Sequence, residues 1–124
     1  MKDLEHDDLQ IRVEQLEDKV RLRWLGKSTA RTPGTFLLPF FQAIADQAEA
    51  RQIAIDNDLT QLQHLNSSTL AAMIGVMRII RNAGIPMRVL YDPAVGWQER
   101  SIDALRILEA SGSVIRFEAS RHGA

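Results

Sequence analysis

The chain has 124 residues, 45% hydrophobic and 25% charged, a size and balance that suit one ordinary globular domain and not two. Fifteen basic against sixteen acidic side chains leave a formal charge of −1, unlike a protein that holds nucleic acid by charge, and zero cysteines exclude disulfides, thiol catalysis and cysteine-based metal sites. No apolar run approaches the roughly 20 residues of a membrane span, and the acidic start MKDLEHDD is unlike a signal peptide, so the expected compartment is the cytoplasm.

Residues 1–8 are polar and read as a flexible tip, residues 9–119 as one domain and residues 120–124 as a tail. Leu9, Ile11 and Val13 alternate with Gln10, Arg12 and Glu14, the pattern of a half-buried strand. Val20, Leu22 and Trp24 repeat it against Arg21 and Arg23. The short polar link Glu17-Asp18-Lys19 makes the two an antiparallel hairpin. Alternation places Trp24 in the core, opposite the arginines. Gly26 to Gly34 reads as a loop, and Lys27-Ser28 after Gly26 lacks the spacing of a phosphate-binding loop.

Leu37, Phe40, Phe41, Ile44 and Ala48 recur at helical spacing. Pro39 belongs in a first turn, so this helix should begin near Thr35. Ile53 and Ile55 open a central strand toward Leu59, and the stretch with Leu62 and Leu65 reads as a polar loop. Asn66, Ser67, Ser68 and Thr69 are four candidate N-caps for a helix from Leu70 to about Ala83, stopped by Gly84 and Pro86. A strand at Met87–Tyr91, a helix from Trp97 to Leu108 and a last strand at Val114, Ile115 and Phe117 complete the order ββαβαβαβ. That order argues a mixed α/β sheet of four to five strands with three helices and right-handed crossovers. The expected core includes Val13, Leu22, Trp24, Phe40, Ile44, Ile55, Leu70, Ile74, Met77, Val89, Leu105 and Leu108.

Catalytic constellations are thin. His6, His64 and His122 are the only histidines, two of them near the termini, and no metal site is expected. Asp56 and Asp58 share a strand face, but no nucleophile joins them, and the plainer reading is a strand end entering solvent. The informative stretch is Leu65 to Leu70. A hydroxyl at a helix start ordinarily caps it; the same hydroxyl is also a candidate phosphorylation site, because the positive dipole end tolerates an anion. Such a phosphate would leave the helix intact and repel a partner that must cover the surface.

The stretch IDNDLTQLQHLNSSTL, from Ile55 to Leu70, resembles the central motif of STAS-domain anti-sigma-factor antagonists. Asp58, Leu59, Leu62, Leu65, Asn66, Ser67, Ser68 and Leu70 fall on that pattern, and Gly96-Trp97-Gln98-Glu99-Arg100-Ser101-Ile102 is similar to a segment of STAS-like bacterial regulators. The resemblance spans about Gln10 to Glu118. It implies a STAS-like domain without catalytic site or cofactor, which binds an anti-sigma factor or a related switch protein, kinase or phosphatase; the charge and the short apolar runs already argue for no nucleic acid and no membrane partner. It also implies Ser67 as phosphoacceptor and Ser68 as second. Two positions depart: Asn66 stands for an acidic residue and Thr69 for the usual glycine. The expected partner surface is Asn66, Thr69, Val76, Ile79 and Trp97, with acidic Asp58 nearby. Val76 and Ile79 lie off the main apolar face of their helix and would serve a partner or a homodimer. The alternative function is a small-ligand or nucleotide sensor on the same fold.

Overall fold

Strand alternation and the handedness of crossovers set the architecture, seen in a computed structural model that describes residues 1–106 and 114–120. The strands β1 (Leu4–His6), β2 (Leu9–Gln15) and β3 (Lys19–Ser28) form an antiparallel meander. Helix α1 (Gly34–Arg51) leads to β4 (Ala54–Asp58), β5 (Leu62–Leu65) and helix α2 (Ser67–Asn82). Strand β6 (Met87–Tyr91), helix α3 (Gly96–Leu105) and β7 (Ile115–Ala119) follow. The sheet has seven strands in the order β1-β2-β3-β4-β6-β7, with β5 alongside the far half of β3.

Two of those strands were not expected. The polar tip becomes β1 because Leu4 and His6 turn toward the core side, where His6 stacks on Phe36 with ring centroids 4.0 Å apart. The loop around Leu62 and Leu65 becomes β5 because the end of β3 offers it a free edge. That edge exists because β3 runs on to Ser28, through residues that the sequence marks as loop. Gly26 makes the extension workable: its φ is +84°, and a Cβ there would strike the carbonyl oxygen of Asp8. Pro39 sits in the second turn of α1, not the first, with its ring exposed to solvent and no N–H to give Thr35.

From β3 onward the chain steps across the sheet in one direction, β3 to β4 to β6 to β7, in parallel pairs. Right-handed crossovers taken always in the same direction put every helix on one face. The side chains agree. Trp24 stacks on Phe41 of α1 at 6.1 Å, and Arg106, just past α3, bonds the hydroxyl of Tyr91 on the same side of the sheet. Leu9, Ile11, Val20, Leu22, Ile55, Met87, Val89 and Ile115 close the core beneath the helices. Val13, Phe40, Leu70 and Ile74 are only partly buried and pack against its margin, while Leu108 lies outside the described residues. The opposite face carries mainly charged and polar side chains, with Leu25 and Leu90 among them, and no described element covers it.

Candidate functional site

The carboxyl ends of β3 and β5 meet the start of α2. The Asn66 backbone N–H donates to the Ser28 carbonyl at 3.0 Å, which ends the β3–β5 pairing and fixes where the helix begins. Asn66 has extended backbone angles and caps α2: its Oδ1 accepts from the Thr69 N–H at 2.8 Å and the Thr69 hydroxyl at 2.7 Å. Its Nδ2 donates to the Ala30 carbonyl at 2.9 Å, tying the β3–α1 loop to the same turn. Thr69 is wholly buried, with its Oγ1 2.7 Å from the Ser28 hydroxyl. A hydroxyl has one proton, so with Thr69 donating to Asn66, Ser28 donates to Thr69.

This arrangement sorts the four hydroxyl and amide residues that sequence left equivalent. Asn66 is the cap, and Thr69 is a buried structural link, which corrects its expected place on a partner surface. Ser67 is the first residue of α2 and exposed; Ser68 is half-buried. The helix therefore begins three residues earlier than its apolar periodicity, because the cap lies at the head of the polar run. No acidic side chain occupies the first turn, so the positive end of the dipole faces solvent without a carboxylate of its own beside Ser67.

Beside this turn, Asp58 ends β4 by accepting the Thr60 N–H at 2.9 Å and the Thr60 hydroxyl at 2.6 Å, the chemistry of a tight turn. Gln98, which the sequence reading did not single out, is 1% exposed. Its Nε2 donates to the carbonyls of Leu59 at 2.9 Å and Leu62 at 3.2 Å, and its Oε1 accepts the Asp92 N–H at 2.8 Å. One amide thus ties α3 to the turn between β4 and β5. An amide immediately following an indole at a helix start was the signal available for it. Trp97 is half-buried, its ring 6.3 Å from that of His64 on β5 and tilted by 60°.

Val76 is 2% exposed and belongs to the core, which overturns its expected role on a partner or dimer face. The reason is tertiary: α2 packs against α1 on one side and β7 on another, so more of its circumference is covered than one sheet could cover. Ile79 is half-buried and packs against the core margin.

Asp56 is not at a strand end in solvent. Its side chain is 3% exposed, on the face of the sheet away from the helices, with Lys19 at 3.0 Å, Arg88 at 2.8 Å and Arg21 at 3.8 Å. Arg88 grips both carboxylate oxygens. Burial raises the carboxyl's pKa, but the hydrogen bonds and charges of Arg88 and Lys19 outweigh it and hold Asp56 below the usual carboxylate value.

Among known proteins, no family model matches the chain, and no curated protein matches it by sequence. Solved structures do. A chain in the crystal structure of the diguanylate cyclase SiaD in complex with its activator SiaC, from Pseudomonas aeruginosa, matches with a TM-score of 0.63 at 19% identity, over 90% of this chain and 92% of that one. SiaC of Pseudomonas aeruginosa matches with a TM-score of 0.60 at 19% identity, over 97% of this chain and 100% of that one. The anti-sigma factor antagonist SpoIIAA in its unphosphorylated form aligns at a TM-score of 0.45 and 17% identity, over 77% of this chain and 97% of that one. At these identities the likeness speaks for architecture, and with seven strands and three helices on one face the chain has the STAS-like fold that SiaC also has.

Proposed function

We propose that this chain is a regulatory, protein-binding STAS-like module whose partner covers the start of α2, and that phosphorylation of Ser67 releases that partner. The observation that carries the reading is the division of labour at the turn. Asn66 does the capping, so the Ser67 hydroxyl stands in solvent at a dipole end with no acidic neighbour in its turn. A phosphate there meets backbone N–H groups and the positive end of α2, and the helix stays folded. What it changes is the outer surface, by about −1.5 to −2 charges at neutral pH.

The partner surface comprises Ser67, Ser68 and Asn66, with Trp97 and His64 at its margin and Ile79 farther along α2. SiaC is the activator of a diguanylate cyclase. That likeness favours a signalling enzyme as the partner here, in place of the anti-sigma factor that the motif resemblance implies.

The test is intact-mass and peptide analysis of the protein isolated from its source cell, combined with partner binding by the phosphorylated and unphosphorylated forms. Phosphate on Ser67 with weakened binding is the expected result. Ser67→Ala should fold normally and bind constitutively; because Asn66 is the cap, it should cost less than about 0.5 kcal/mol of stability. Modification elsewhere, with normal switching by Ser67→Ala, refutes the switch and leaves the binding module standing.

A further inference from the structure

The face of the sheet away from the helices is organised in rows. Register aligns Glu14, Arg21, Asp56, Arg88 and Arg116 side by side across five strands. Arg12, Arg23, Asp58, Leu90 and Glu118 form the next row. In the first row the charges do not balance. Asp56 is already held by Lys19, Arg21 and Arg88, and Glu118 by Arg88. Arg116 is exposed and forms no ion pair among the described residues, yet it stands directly opposite Arg88, and like charges in that position destabilise a sheet. The Nε of Arg21 is buried without a hydrogen-bond acceptor among the described residues. Next to this row, and not reaching Arg21, lies a dent of about 170 Å³ in which Lys19, Asp56, Arg88 and Arg116 stand around a mostly apolar floor.

We infer that this bare sheet face binds an acidic segment of a protein partner, with a glutamate or aspartate carboxylate seated in the dent between Lys19, Arg88 and Arg116. A carboxylate there separates the two opposed arginines and supplies the anion that Asp56, shared among three cations, does not. Size and charge favour this occupant. Pockets for small ligands run from about 300 Å³ upward, so a dent this small takes one side-chain head group, not a nucleotide. Asp56, Glu118 and Glu14 interleave with the cations and would repel a continuous phosphate backbone, and the chain as a whole carries a charge of −1. The face is distinct from the start of α2, so this inference does not depend on the Ser67 switch.

The probe is a hexaglutamate peptide, titrated at low salt into the isotopically labelled full chain and followed by amide chemical shifts. Shifts confined to the row through Arg21, Arg88 and Arg116 and its immediate neighbours, no binding of hexaglutamine, and loss of affinity as salt rises are the expected results. Arg116→Glu should weaken binding at least tenfold, while Arg78→Glu, exposed on α2 on the other side of the sheet, should leave it unchanged. Thermal unfolding within a few degrees of the parent checks that Arg116→Glu is folded; if it is not, Arg116→Gln replaces it, with a smaller loss expected. Equal affinity of parent and folded variant overturns the proposal. So does tighter binding of an oligothymidylate to the same residues, or a sedimentation result in which the face is buried between two copies and freed by Arg116→Glu.

Discussion

Asp56 and Asn57 are neighbours on β4, both within 2% of complete burial, and they meet that condition in opposite ways. Asn57 points under the helices, where its Oδ1 accepts the Trp24 indole N–H at 2.6 Å and both partners stay neutral. Asp56 points to the bare face and keeps its charge, because the long stems of Lys19, Arg21 and Arg88 lie over it and leave their head groups partly in water. Under three helices a charge would lose hydration with no such arrangement available. On the open side, cations half in solvent make an ionised carboxylate tolerable. The same strand thus separates a face built for packing from one built for charge.

The largest break in this comparison comes on the packed side. Trp24→Ala removes an indole that is fully buried and stacked on Phe41, and should cost about 3–5 kcal/mol in urea unfolding. On the charged side, Asp56→Asn leaves Lys19, Arg21 and Arg88 without their common anion. Cutting a buried ion pair costs about 3–5 kcal/mol, but these cations can turn to water, so a loss of about 1–3 kcal/mol is expected. The pH dependence sharpens the contrast. The folded pKa of Asp56 is depressed, so its contribution is complete above the ordinary carboxylate range and disappears as pH falls through the folded value. Acid melts should therefore show a steeper loss below about pH 4 in the parent than in Asp56→Asn.

Two smaller effects follow at the start of α2 and the sheet surface. Asn66→Ala removes the α2 cap, for about 0.5–2 kcal/mol by thermal unfolding, and frees the tie to Ala30. Glu118→Gln removes an ion pair whose partners are 39% and 45% exposed, and should change stability by less than about 1 kcal/mol. A larger effect would mean that the rows of the bare face act as one network.

How far residues alone reach is visible at particular places. Alternation in β3 has only two faces, which places Trp24 in the core, and the structure agrees. The polar run at 66–69 located the head of α2, since amides and hydroxyls satisfy the unpaired first-turn N–H groups of a helix. It did not say which residue caps. That depended on Ser28 and Ala30, which lie in a distant part of the chain and reach Asn66 and Thr69 only when β5 joins β3. Val76 is buried, contrary to its place off the apolar face, for a related reason: helical geometry gives the angle of a side chain, not the number of neighbours around the helix.

The chain's local chemistry determined the β2–β3 hairpin, the alternation of strand and helix after it, the buried side of β3 and the polar run that heads α2. Each follows from periodicity or from the needs of a helix end, which act over a few residues. Tertiary structure decided the rest: β1 and β5, the burial of Val76, the Gln98 tie to the β4–β5 turn and the cations around Asp56. Short strands exist only where a longer edge receives them. A carboxylate acquires partners only when the sheet aligns strands that are far apart in sequence, here Lys19, Asp56 and Arg88.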